Sequence, residues 1–276
     1  MCSLIPAEFS LRSQALIKLP GLSEEETLQI LPDTGKIIFL GYRGSIAHGT
    51  YVPQESKDSI DDKDIIGVFV GSEKHYLGFG EQDTYERKFG PWDAVHYEIT
   101  KLFRLLIKSN PNVLSLLFLH DAAIIFEDEL GRSLRTNRRK CFISKAAYKA
   151  FIGYAHGQLH RMTHHAFEGY MGAKRKALVE KYSFDTKNAA HLIRLLRMGI
   201  EFLIEGELHV LRHDSHELLA IKRGEWSLDR VKEEADRLFI LAHEAYVRSP
   251  LPNKPDSDKA ESWLIEIIKS SLGYPT

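Results

Sequence analysis

The sequence predicts an α+β fold, with a smaller α/β unit over residues 1–125 and an all-helical unit over 126–276. Three observations lead there. Short apolar runs bounded by glycine alternate with helical patterns up to about residue 125. From about Ser144 onward the apolar spacing is helical. The stretch SPLPNKPD at 249–256 carries three prolines and reads as a surface connection between helices.

In chain order, Lys36–Leu40 (KIIFL) is a glycine-bounded apolar run of buried-strand type, and Asp64–Val70 (DIIGVFV) is a second. Ala94–Tyr97, after Gly90 and Pro91, alternates apolar and polar residues like a third strand. Ile99–Lys108 carries Leu102, Leu105 and Leu106 at helical spacing and stops before Asn110-Pro111; a second helix is expected over Asn112–Leu119. Ser144 is placed to cap a long helix running to about Gly169. Asp185–Leu208 carries a wide apolar stripe that includes Leu192, Leu196, Ile200 and Leu203. Leu228–Val247 and Ser257–Ser271 complete the helical unit, and no repeat or low-complexity tract interrupts it.

The chain has 276 residues, 43% hydrophobic and 27% charged, with a formal net charge of −1. This balance excludes a global electrostatic attraction to nucleic acid or an anionic membrane, so such a partner would be met by a local patch. The start MCSLIPAEFSLRSQALIKLPG lacks the charged head and continuous apolar core of a signal peptide. No apolar stretch reaches the roughly 18 residues that suggest a membrane span. Cys2 and Cys141 are the only cysteines, too few for a zinc site or a disulfide framework. A reduced cytoplasmic protein without membrane attachment is expected.

The chemistry concentrates in GYRGSIAHGTYVPQESKDSIDDKDIIGVFV at 41–70. After KIIFL, the turn from Gly41 to Ser45 would present backbone N–H groups at the start of a short helix, an arrangement suited to phosphate. Asp62 and Asp64 lie two apart, so on an extended strand they project to one side. Like charges placed so resist burial unless a cation lies between them. Two carboxylates form a hard-oxygen site for Mg²⁺ or Mn²⁺, completed by phosphate oxygens and water. A third carboxylate on a neighbouring strand would make a two-metal site, for which Asp93 stands at the entrance to AVHY and Glu98 is the back-up. Such a third group can bind a metal or take the proton of an acceptor hydroxyl. Asp61, beside the pair, reads as part of the acidic approach to the strand.

Gly44-Ser45, a second glycine at Gly49 and then Asp-x-Asp-Ile-x-Gly-Val resemble the active-site signature of the DNA polymerase beta nucleotidyltransferase superfamily. More narrowly, the chain resembles the bacterial and phage predicted-nucleotidyltransferase branch, some of whose members are linked with RNA repair. The blocks from Tyr97 to Lys101, from Asn110 to Leu114, from Lys187 through His191 to Leu195 and from Ser249 to Pro252 are similar too, so the likeness spans roughly residues 37–256. It implies a short mixed sheet carrying the metals and a C-terminal helical domain that closes over the nucleotide. It implies an NTP substrate and transfer of an NMP to an acceptor hydroxyl with release of pyrophosphate; an RNA end, a protein side chain or a small molecule is compatible as acceptor, with an RNA end slightly favoured. Three positions depart from the branch: Ile46 and Ile66 stand where relatives usually have Arg, and Ser115 where they tend to have Glu. None removes a metal ligand, though Ile46 and Ile66 bear on nucleotide affinity and substrate choice. The insert between Gly49 and Asp62 is expected to form a flap.

Lys187, His191 and Arg194 recur at i, i+4 and i+7, one polar stripe of a helix. The resemblance implies a nucleotide clamp there, joining Gly44 and Ser45 in cofactor binding. His156, His160 and His164 also recur every fourth residue, but no nearby carboxylate or cysteine completes a metal set. His120-Asp121 and His213-Asp214 are the dipeptides of metal-dependent phosphohydrolases without the matching partners. The basic runs Arg132, Arg135, Arg138, Arg139, Lys140 and Lys174-Arg175-Lys176 are the places to meet RNA phosphates, against a default of solvated surface. The alternative to an enzyme is a non-catalytic nucleotide-binding regulatory or antitoxin-like interaction protein, for which Ile46 and Ile66 speak and the intact Asp62 and Asp64 do not.

Overall fold

The computed structural model of the chain describes residues 17–53, 61–80, 82–164 and 173–274. Helix α1, Glu24–Ile30, opens with a capping box between Ser23 and Glu26. Strand β1, Lys36–Tyr42, runs into the short helix α2, Gly44–Ala47. Strand β2, Lys63–Val70, and helix α3, Glu73–Leu77, follow. Strands β3, Thr84–Phe89, and β4, Trp92–Glu98, form a hairpin closed by Gly90-Pro91.

The five strands are ordered β3-β4-β2-β1-β5, with β5 at Ile124–Glu127. Only the β2–β4 pair is parallel, so the sheet is mixed as expected, and its register sets Asp64 directly beside Asp93. Alternation along the strands divides the apolar residues between two faces. Ile66, Val68, Val70 and Val95 point into the large core shared with the helices. Ile65, Phe69, Ala94 and Tyr85 point into a smaller core covered by Ile17, Leu19, Ile30 and Leu31.

Helix α4, Ile99–Ile107, begins at once after β4 because the Glu98 carboxylate accepts from the Thr100 and Lys101 N–H groups. The helix expected over 112–119 divides in two. Helix α5, Pro111–Leu114, is capped by Asn110, and the chain then tightens into a 3₁₀ turn over Ser115–Phe118. Helix α6, Glu129–Thr136, follows β5. Because β5 pairs with β1, the expected boundary at residue 125 falls inside a strand of the sheet.

Helix α7, Ala147–His164, starts three residues after Ser144, whose hydroxyl accepts from the Ala146 N–H at 3.3 Å. Its expected extension to Gly169 lies outside the described residues. Helices α8, Ala173–Tyr182, and α9, Thr186–Glu205, come next. Asp185 caps α9, and Gly206 ends it in the left-handed conformation at φ 68°. Helices α10 (Ser215–Lys222), α11 (Leu228–Arg248) and α12 (Ser257–Ser271) finish the chain. Helix α9 packs against α7, α10 and α11, and its buried stripe joins the sheet's larger core without a break. Trp263 of α12 returns to that core, its ring centroid 5.6 Å from Phe103 of α4 and 6.0 Å from Phe142. Among the described residues, no helix is long and apolar enough to cross a membrane.

Candidate active site

The end of β1 and the start of β2 are held together where Arg43 N–H donates to the Asp64 carbonyl at 2.9 Å. Gly44 follows at φ +60°, and a Cβ there would stand 2.5 Å from Asp64 Oδ2. Glycine is required twice over, by the left-handed backbone and by the carboxylate pressed against it. Ser45 then presents a hydroxyl that is buried and has no hydrogen-bond partner among the described residues. Such a group is an orphan that a ligand oxygen can satisfy.

The carboxylates gather with two cations in an alternating chain. Lys88 lies 3.9 Å from Asp62 and 3.7 Å from Asp93, and Arg43 lies 3.6 Å from Asp93 and 3.8 Å from Asp64. These are the cations that let like charges share one end of the sheet. Burial pushes the Asp64 carboxyl up to about 6; Arg43 and Lys187 pull it down, while Asp93 and Asp62 push it further up. Among the described residues no three His, Cys, Asp or Glu side chains are gathered as a metal cage. Oxygen type and strand register nevertheless suit a hard divalent cation taking the place that Arg43 and Lys88 hold. Glu98 is spent elsewhere: buried, it caps α4 and accepts from the Tyr76 hydroxyl at 2.6 Å.

Facing this end, α9 supplies the opposite wall of a cleft of about 270 Å³. Gly44, Ser45 and Asp64 line one side, Lys187, His191 and Arg194 the other, with Tyr154 and Asn112 between them. Asp62 and Asp93 are not among the lining residues and stand at the rim of the sheet, about two-fifths exposed. The three α9 residues therefore share one cleft with the motif residues, across more than a hundred positions of sequence.

Arg194 is 8% exposed. Among the described residues no carboxylate comes within ion-pairing reach of it, and its Nη1 donates to Met198 Sδ at 3.3 Å. Burial, helped by the charge on Arg212, draws its pKa down to about 10, which leaves it cationic at neutral pH. Beside it His48 is held well below its ordinary value by burial and by Arg194, and its Nδ1 donates to the Val210 carbonyl at 2.8 Å. A buried guanidinium without a counter-charge is expensive, and a bound anion is what relieves it.

Lys187 is placed differently from the sequence expectation of a clamp alone. Its ammonium pairs with Asp61 at 3.4 Å. Asp61 is itself buried and also pairs with Lys222, the last residue of α10. Asp61, Lys222, Arg43, Lys88 and His48 stand around the candidate site and were not singled out by sequence reasoning. The adjacency of Asp61 to the motif was a signal. Lys222 offered none, because α10 has no clear periodicity to place it.

The other expected features resolve plainly. Arg132 and Arg135 pair with Glu127, and Arg138 and Arg139 both pair with Glu207, so four of the five cations in that basic run are already engaged by carboxylates. In the second run, side-chain placement is described for Lys176 alone, which is exposed. His156 stacks on Phe239 at 4.3 Å, a packing contact between helices, and the His164 side chain lies outside the described residues. Asp214 is tied to Arg197 and Arg212 and Asp121 to Arg135, so neither His-Asp dipeptide offers a free carboxylate. The flap expected between Gly49 and Asp62 falls largely on residues 54–60, which lie outside the described residues.

A mixed sheet whose carboxylate end opens on a glycine-serine turn, followed by a helical region bearing buried cations, defines the class: a polymerase-beta-like nucleotidyltransferase. The model of the RNA repair pathway DNA polymerase beta family matches residues 11–266, and the chain belongs to that family. A nucleotidyltransferase-like protein from Exiguobacterium sibiricum 255-15 is similar at 10% identity over 85% of this chain and 74% of its own, with a TM-score of 0.27, too low to support any argument. No curated protein matches the chain.

Proposed function

We propose that the protein transfers a nucleoside monophosphate from an NTP to an acceptor hydroxyl, releasing pyrophosphate, with an RNA end as the favoured acceptor. The observation that supports this best is Arg194. It is a buried cation that meets no carboxylate among the described residues, and it faces the turn where the Ser45 hydroxyl is likewise unsatisfied. A triphosphate lying between them would satisfy both. Asp62, Asp64 and Asp93 would hold Mg²⁺ or Mn²⁺, which when bound neutralises phosphate charge and favours ionisation of the attacking hydroxyl. The acceptor oxygen attacks the α-phosphorus, the bond to the bridging oxygen breaks, and the pyrophosphate leaves. Asp93, at the rim, would accept the hydroxyl proton. Gly44 and Ser45 orient the phosphates, and Lys187, His191 and Arg194 offset their charge, so catalysis is chiefly positioning and electrostatics. The family's link to RNA repair favours RNA as acceptor, though four of the five cations in the Arg132–Lys140 run are already paired, which makes it a poor grip.

The second reading, a nucleotide-binding interaction protein, draws on one specific observation. Arg43 and Lys88 occupy the gaps between the three carboxylates, which makes a metal-independent binder self-consistent. The experiment that separates the two is incubation with each α-³²P-labelled NTP, Mg²⁺ or Mn²⁺, and a pool of cellular RNA and protein. Label is expected in RNA, and Asp62→Asn or Asp64→Asn should reduce transfer by about a hundredfold or more while leaving the far-ultraviolet spectrum unchanged. Retained transfer in both variants would remove the metal assignment. Nucleotide binding without transfer to any acceptor would favour the binder.

A further inference from the structure

Asp61 is 1% exposed and is held from three directions. Its carboxylate accepts from the Val52 N–H at 3.0 Å, pairs with Lys187 of α9 at 3.4 Å and pairs with Lys222 of α10. Lys222 is fixed in turn, because its ammonium also donates to the Thr50 carbonyl at 3.1 Å. Its backbone carbonyl accepts from the Thr186 hydroxyl at 2.8 Å. Burial lowers the Lys222 pKa while Asp61 opposes that shift. One carboxylate thus serves two ammonium groups of unequal freedom. Lys222 is buried, whereas Lys187 is one-fifth exposed and lines the cleft with Ser45 and Asp64.

From this inequality we infer that Asp61 is a positioning residue for Lys187. It parks the ammonium on the cleft wall and releases it to the phosphates of an incoming nucleoside triphosphate. The inference rests on the proposal that a triphosphate occupies this cleft. A lysine has a flexible four-carbon stem, so parking its head near the ligand reduces the ordering that binding would otherwise demand. Parking is useful only if release is tolerable. A buried carboxylate stripped of its sole cation would be strongly disfavoured. Asp61 is not stripped, because Lys222 remains beside it after Lys187 has moved. The second lysine is what makes the first available.

Asp61→Asn alone would strand the buried Lys222, so the informative variant is Asp61→Asn with Lys222→Met, which removes carboxylate and buried ammonium together. Its KM for NTP and its Kd for inorganic tripolyphosphate should both rise about tenfold, with kcat within about threefold of the parent. Lys187→Met should give the same rise. All three substitutions combined should be weaker than Lys187→Met by no more than about twofold, because the residues act through one group. If the double variant fails to fold, Lys222→Met alone decides the matter. It leaves Lys187 as the one ammonium of the pair facing Asp61, so triphosphate affinity should fall. Unchanged affinity in these variants, or losses that multiply with Lys187→Met, would overturn the positioning role and leave the nucleotide site standing. Absence of binding by the parent protein to both NTP and tripolyphosphate would overturn both.

Discussion

Arg194 and Arg197 sit three residues apart on α9 and live in opposite electrostatic worlds. Arg197 pairs with Asp214, Glu217 and Glu234, and although burial alone would lower its pKa, those hydrogen bonds hold it above its ordinary value. Its neighbour Arg212 is similarly enclosed by Glu201 and Asp214. Among the described residues Arg194 has burial without such partners, and its pKa moves the other way. A cation satisfied by carboxylates holds the fold together. A cation at a cleft wall without such partners is, on the proposed function, the one that meets an anionic ligand.

That contrast is best broken by substituting the paired arginine first. Arg197→Met should destabilise the protein by about 3–5 kcal/mol, since three partly buried carboxylates lose their common cation. Urea unfolding would measure this, and a loss below about 1 kcal/mol would mean that the network is surface decoration.

A carboxylate of the site offers the intermediate case. With its folded pKa raised from 3.8 to about 6, Asp64 adds stability that is fully present below about pH 3.8 and is lost as pH rises through about 6. Asp64→Asn, which cannot ionise, should therefore exceed the parent by roughly 2 kcal/mol at pH 7.5 in a chelator and match it near pH 3. Equal melting profiles at both pH values would mean that Arg43 and Lys187 offset the ionised group completely.

The smallest stability effect belongs to Arg194 itself. Arg194→Met should leave stability unchanged or raise it by about 1 kcal/mol, because a desolvated charge is exchanged for an apolar chain. Nucleotide affinity should meanwhile fall about tenfold by calorimetric titration. A variant that unfolds like Arg197→Met would erase the distinction between the two arginines.

The strands and long helices were legible because their apolar residues recur at the period of the element, as in KIIFL and the α9 stripe. Asp93 was legible as a partner for Asp64 once β4 was recognised, and the register places them side by side. Strand β3, TYERKF, escaped because an edge strand needs few apolar residues, and β5 escaped because four residues carry no usable pattern. The Asp61–Lys222 pair spans 161 positions, and no local spacing encodes a contact of that kind. The pairing of the basic run was hidden for the same reason. Its arginines are adjacent in sequence, while Glu127 and Glu207, which pair with them, are supplied by the fold.

The uninterrupted core has a mechanical consequence. Phe103, Phe142 and Trp263 interlock α4, the chain before α7 and the final helix, so the sheet and the helices share one packed core. Moving α9 away from the sheet would open the apolar core that Leu192, Leu196 and Phe202 share with Ile66 and Val68, which close-packed interiors resist. Among the described residues the cleft walls share that packing, and the long side chains of Lys187 and Arg194 are groups on them with many rotatable bonds to meet a ligand.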